Sequence, residues 1–108
     1  MVKHERKRYV AFLVSCEGEL EKRKVAGAIE NTIQTLLGIN GIHAAKHFLV
    51  RYNRETKLGI LRVNHKFAKQ AISALTSISK VDNEPVTVNT LRTSGTLRSI
   101  ERALPTLV

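Results

Sequence analysis

Residues able to act in catalysis or hold a metal are few in this chain, and their spacing suits neither task. The histidines are His4, His43, His47 and His65. His43 and His47 stand four apart, a ligand spacing on a helix. On the strand predicted around them, the same spacing separates them by about 13 Å along one face, too far to share one ion. Cys16 is the one cysteine, which excludes an internal disulfide and any cysteine-rich zinc site. Its place in a predicted strand suits a small buried hydrophobe. The carboxylates fall at helix starts or in turns, mostly beside Lys or Arg, and no G-x-S-x-G, Gly-rich phosphate loop or Cys/His pair occurs. No catalytic residue and no metal ligand is therefore assigned.

The residue type in excess is the cation. Lys and Arg number 18 against 9 Asp and Glu, a formal charge of +9 on 108 residues. Such a field favours a polyanion, and the abundant intracellular polyanion is nucleic acid. With 43% apolar residues the chain has material for a core, so the charge belongs to a folded domain rather than a disordered tail. No run of about 18 uncharged apolar residues occurs, and the basic N-terminus lacks the apolar stretch of a signal peptide. The expectation is a soluble intracellular protein.

The elements that must position these charges follow from hydrophobic period. Residues 1–8 hold Lys3, Arg6, Lys7 and Arg8 against Glu5 and read as a mobile basic arm, leaving 9–108 as a single domain. "YVAFLVSC", residues 9–16, is β-branched and aromatic, the composition of a central strand buried on both faces. In residues 17–38, Leu20, Val25, Ile29, Ile33, Leu36 and Leu37 recur at spacings of three and four. They predict an amphipathic helix with Glu19 and Glu21 in its first turn and Gly38 as its stop.

"GIHAAKHFLVRYN" and "KLGILRVN" then read as two strands of a hairpin. Asn64 caps a second helix whose stripe is Phe67, Ala71, Leu75 and Ile78. A turn with Asp82, Asn83 and Pro85 leads to the alternating strand "VTVNTLRT", and a third helix runs from about Gly95 to Leu104, stopped by Pro105. The order βαββαβ plus a C-terminal helix is the α+β, ferredoxin-like (RRM-like) sandwich, with a four-stranded antiparallel sheet under two helices.

That fold also reads single-stranded RNA by stacking bases on aromatic residues of its two central strands. Here "KLGILRVN" has no aromatic, so that platform is missing. Phe12, Phe48 and Phe67 are expected in the core, and Tyr9 or Tyr52 on the open face. What remains is charge in clusters: the arm, Lys22 to Lys24 among acidic neighbours, Lys66 and Lys69, and Arg98 with Arg102 four residues on. Leu97, Ile100 and Leu104 lie on another side of the third helix, fit to cover part of the open face and leave the rest for a protein partner.

"RYVAFLV" after a basic arm, "IENTIQTLLGINGIHAAKHFLV", "GILRVNHKFAKQAISAL" and "TLRTSGTLRSIERAL" together resemble the small RRM-like protein subunit of archaeal and eukaryotic ribonuclease P. The resemblance runs from about Arg8 to Leu104, and the "SGTL" turn into a basic helix is its most specific part. It implies a complex with a TIM-barrel protein subunit, and a homodimer of such pairs meeting through this chain within a heterotetramer. The pair assists a catalytic RNA that cleaves the 5′ leader from precursor tRNA, with the chemistry belonging to RNA and Mg²⁺ and no cofactor bound by the protein. An archaeal chain would be cytoplasmic, a eukaryotic one nuclear or nucleolar.

On that reading Lys3, Arg6, Lys7, Arg8, Lys66, Lys69, Arg92, Arg98 and Arg102 would neutralise RNA phosphates. Tyr9, Leu97, Ile100 and Leu104 would serve the protein partner. Two other classes share parts of the pattern. A ribosome-associated or RNA-assembly protein has the charge and fold without a dedicated protein partner. A ferredoxin-like ligand-binding regulatory domain needs a small-molecule site at strand and helix ends, for which the charge gives no reason.

Overall fold

The first strand, β1 (Lys7–Ser15), is apolar enough to be covered on both faces, and it occupies the inside of the sheet. A computed structural model describes residues 6–104. In it β1 is followed by α1 (Lys22–Ala45), β2 (Phe48–Asn53), β3 (Leu58–Asn64), a short 3-10 turn at His65–Phe67, and α2 (Ala68–Ser77). A small hairpin, β4 (Lys80–Val81) and β5 (Glu84–Pro85), precedes β6 (Thr87–Ser94) and α3 (Leu97–Ala103). The main sheet has the order β2-β3-β1-β6 and is antiparallel throughout, as the ferredoxin-like topology requires.

Alternation along the strands sorts side chains to two faces. Val10, Phe12 and Val14 of β1, Leu61 and Val63 of β3, Leu49 of β2 and Val88 of β6 join Val25, Ile29 and Ile33 of α1 and Ala71, Ala74 and Leu75 of α2 in the main core. On the other face Ala11, Ile60 and Ile100 are fully buried together, with Tyr9, Val50, Leu58, Leu97 and Leu104 packed around them. The third helix therefore closes a second, smaller core. Gly59 lies flat beneath Phe12: a Cβ there would sit 2.5 Å from the ring's Cζ. The position needs glycine for space rather than for backbone freedom.

Two bulges change which side chains share a face. On β2 the register shifts between Leu49 and Arg51, so that Arg51 lies opposite Ile60 and Tyr52 opposite Gly59. Tyr52 is thereby turned into the main core, not onto the open face, and Arg51 takes the open side. On β6, Ala11 faces Arg92 while Phe12 faces Thr90, leaving Leu91 as the extra residue. Arg92 is thus moved to the face that α3 crosses.

Several expected boundaries move. Lys7 and Arg8 belong to β1, paired with Asn64 and Val63, so the arm does not extend to residue 8; Lys3 lies outside the described residues. Helix α1 begins at Lys22 with Glu21 as its N-cap, which leaves Glu19 and Glu21 outside its first turn. Gly38 does interrupt it, at φ 76°, but residues 39–45 form another helical segment, which takes residues 41–45 from the strand expected over 41–53. Ala45 is buried there and Ile42 packs on the core, so period three outweighs the short apolar run. His43 consequently sits on a helix, and among the described residues no three metal-ligating side chains gather.

Cys16 lies just beyond β1 and is half-buried. Phe48 is 52% exposed, against the expectation of a core residue. The turn after α2 is a two-residue hairpin, with Asp82 and Asn83 both at positive φ as a type I′ turn demands. No described helix is long and apolar enough to cross a membrane.

Candidate nucleic-acid interface

Strand direction decides where the charges gather. β1 begins, β2 begins, and β3 and β6 finish at one end of the sheet, as the pairs Phe48 to Arg62, Arg62 to Tyr9 and Tyr9 to Ser94 show. This end carries Arg6, Lys7 and Arg8 from β1 and its lead-in, Arg62 from β3, Lys66 and Lys69 from the start of α2, and Arg98 from the start of α3. Arg92 lies two residues before the end of β6, and Arg102 one helical turn beyond Arg98.

Local chemistry fixes this end. Asn64 is buried, and its Oδ1 accepts from the Lys66 N–H at 3.2 Å, stopping β3 and starting the turn into α2. The His65 N–H donates to the Arg6 carbonyl at 2.9 Å, tying the lead-in of β1 to the same junction. Thr96 caps α3 by accepting from the Ser99 N–H, and Ser94 Oγ accepts from the Thr96 N–H. The Arg8 guanidinium reaches across to this β6–α3 turn, close enough that a Cβ on Gly95 would lie 2.9 Å from its Nη1. Arg8 and Gly95, in the turn into α3, are therefore neighbours although 87 positions apart in the chain.

The opposite end holds most of the carboxylates. Glu17, Glu19 and Glu21 lie in the β1–α1 connection, Glu55 in the β2–β3 turn, and Asp82 and Glu84 in the hairpin. They meet cations there: Arg54 with Glu19 at 3.3 Å, Arg23 with Glu21 at 3.8 Å, and Lys24 with Asp82 at 2.9 Å. The Asp82 carboxylate, by hydrogen bond and by charge, raises the Lys24 ammonium above its usual pKa. At the cationic end Arg6, Arg8, Lys66, Lys69, Arg92, Arg98 and Arg102 make no ion pair with a described carboxylate, and all are exposed. Glu101, the described carboxylate nearest to Arg98 and Arg102 in the chain, is engaged with Arg51 at 4.0 Å. A surface whose exposed cations are left unpaired by described carboxylates is suited to phosphates.

The sequence-predicted site residues divide. Arg6, Lys7, Arg8, Lys66, Lys69 and Arg98 come together at the cationic end, with Arg92 and Arg102 at its margin. Ile100, expected to serve a protein partner, is instead fully buried against Ala11 and Ile60 of its own sheet. Leu97, Leu104 and Tyr9 pack around it and stay half-buried. An ion pair at 4.0 Å between Glu101 and Arg51 further holds α3 across the face. The large apolar side chains left exposed are Leu36 and Ile39 beside the Gly38 bend, Phe48 and Leu91. Sequence reasoning overlooked Arg62, because its charge stood alone in an apolar strand; assigning each strand a direction would have placed it with the others.

The profile of the Rpp14/Pop5 family matches residues 8–105. The chain belongs to the Rpp14/Pop5 family. Among relatives, this Rpp14/Pop5 chain is 31% identical over 98 residues to "Ribonuclease P protein component 2" of Pyrococcus furiosus, covering 91% of this chain and 82% of that one. It is 28% identical over 96 residues to the protein of the same name from Methanococcus vannielii, covering 89% and 72%. A chain in a cryo-EM structure of yeast ribonuclease MRP superposes with a TM-score of 0.70 at 18% identity, over 91% of this chain and 80% of that one. That likeness bears on the fold alone, and it agrees with the RRM-like sandwich described above.

Proposed function

We propose that this chain is a non-catalytic protein subunit of ribonuclease P, using its cationic end to fold and hold the catalytic RNA that removes the 5′ leader from precursor tRNA. The observation that carries the reading is the separation of charge in an Rpp14/Pop5 domain: at one end Arg6, Arg8, Lys66, Lys69, Arg92, Arg98 and Arg102 are exposed and make no ion pair with a described carboxylate, while at the other Lys24, Arg23 and Arg54 are paired with Asp82, Glu21 and Glu19. Neutralising phosphates where RNA helices crowd together lowers the concentration of Mg²⁺ the RNA needs, and the chemistry stays with RNA and metal.

A TIM-barrel protein subunit is the proposed protein partner. With Ile100 occupied by its own sheet, Leu36 and Ile39 are the apolar surface we assign to that contact, being 51% and 64% exposed. Reconstitution tests the reading. Ribonuclease P RNA, the TIM-barrel protein and this chain are mixed, and cleavage of precursor tRNA is followed as Mg²⁺ is lowered. Cleavage that persists at low Mg²⁺ only when this chain is present supports the proposal. Identical Mg²⁺ dependence with and without it refutes the role.

A further inference from the structure

One row across the open face carries an arrangement that phosphate binding does not use. Phe48 of β2 lies directly opposite Arg62 of β3, and Arg62 directly opposite Tyr9 of β1. The Arg62 guanidinium stands 5.2 Å from the centroid of the Phe48 ring, and its Nε is buried without a hydrogen-bond partner. Cation and ring are therefore held against each other by the strand pairing. Helix α3 covers the adjacent row through Ile100, yet it leaves Phe48 52% exposed. For a Phe on a strand that costs apolar surface in water, and its neighbours make the exposed surface electropositive.

The surroundings specify what would cover the ring. At the sheet edge Phe48 also lines a cleft of about 430 Å³ between α1 and β2, on the helix-covered face, whose lining includes Lys22, His47 and Arg23, the last paired with Glu21 at 3.8 Å, with Glu30 as the one acidic lining residue. A protein partner seated on apolar surface would prefer fewer charges there. A strand of RNA has both parts needed, a flat base for the ring and guanidinium and phosphates for the cations. We propose that Phe48 and Arg62 form a stacking site for one unpaired base of a single-stranded RNA segment, with Tyr9 as the supporting wall. This rests on the RNA-binding reading above and adds a base contact to it. The platform sits on an edge strand and one central strand, not on the two central strands that RRM domains use for stacking.

The test separates stacking from charge. The full chain is titrated with a short single-stranded RNA carrying one fluorescent purine analogue, and with a hairpin duplex of similar length, across a range of salt. Phe48→Ala is expected to weaken single-strand binding by roughly 5- to 150-fold and to remove the fluorescence change, without altering the salt slope or duplex binding. Phe48→Trp is expected to restore both, and a melting temperature unchanged in either variant shows that the fold is intact. Equal losses on single strand and duplex, no loss on either, or a loss of protein-partner capture alone would each overturn the stacking site. The Lys66→Ala/Lys69→Ala variant reads the underlying proposal separately. If it lowers the salt slope while Phe48→Ala does nothing, RNA binding stands and stacking falls; if wild-type protein binds neither RNA, both fall.

Discussion

Removing two positive charges from either end of the sheet lowers the net charge equally, from +9 to about +7. The structure nevertheless predicts different results. Lys66→Ala/Lys69→Ala takes charge from the end where no described carboxylate pairs with these lysines. Lys24→Ala/Arg54→Ala takes it from the end where Asp82 and Glu19 already neutralise it. The two ends are separated by the length of β1, nine residues, or about 26 Å. That is some three Debye lengths at physiological salt, where the Debye length is about 8 Å, so one end does not substitute for the other.

Each cation that displaces a counterion contributes about 0.7 to the slope of log affinity against log salt on single strands and about 0.9 on duplex. Loss of Lys66 and Lys69 together therefore lowers the slope by about 1.4 to 1.8. Over a tenfold rise in salt the wild-type chain should lose about 25- to 60-fold more affinity than this variant. The Lys24/Arg54 variant should keep the wild-type slope. Filter binding or fluorescence anisotropy with ribonuclease P RNA at several salt concentrations measures both. Equal slope changes from the two variants would show that net charge alone is sensed, and the argument from charge separation would be wrong.

Three further outcomes test the fold that positions this end. Gly59→Ala drives a methyl into the Phe12 ring and should destabilise by about 1–3 kcal/mol, lowering the melting temperature by roughly 4–8 °C per kcal/mol, with partial recovery in the Phe12→Leu background. Burial, with a smaller contribution from Cys16, pushes the Tyr52 hydroxyl up to about 12 from its ordinary 10. Because the folded state holds this proton more tightly, its contribution is complete below pH 10 and is lost between pH 10 and about 12. Tyr52→Phe should flatten the stability profile in that window and, since the buried hydroxyl has no hydrogen-bond partner, cost nothing near neutrality by denaturant titration. Ile100→Ala should cost about 2–5 kcal/mol, as expected for a fully buried residue, and expose Ala11 and Ile60 to a hydrophobic dye; a near-neutral change would mean α3 does not hold the face.

Much of the fold was legible because it depends on local pattern. The apolar content of "YVAFLVSC" placed β1 inside the sheet, Asn64 announced the turn into α2, and the spacing of Leu97, Ile100 and Leu104 announced the lid. The misreadings come from single insertions and from competition between periods. One extra residue at Val50 reverses the faces of Arg51 and Tyr52, and one at Leu91 does the same for Arg92. Strict alternation has no way to register such a bulge. Between Gly38 and Phe48 a short apolar run fits strand and helix alike, and burial of Ala45 favours the helix.

The candidate site was legible residue by residue but not as a surface. Lys66, Lys69, Arg8 and Arg98 looked like separate clusters because they are separated along the chain, and a strand's direction is what brings their ends together. In a βαββαβ sheet the start of β1, the end of β3 and the end of the last strand must coincide, so basic residues at those boundaries sum at one pole. Acidic residues in the β1–α1 and β2–β3 connections sum at the other by the same rule. Charge segregation here needs no charged stripe on any helix. Moving Lys66 and Lys69 to the last turn of α2, with composition and net charge unchanged, would place them near the hairpin that carries Asp82 and Glu84. Such a variant should bind RNA with the reduced salt slope of the double alanine; a wild-type slope would mean that position along the fold does not matter, and the topological argument would fail with it.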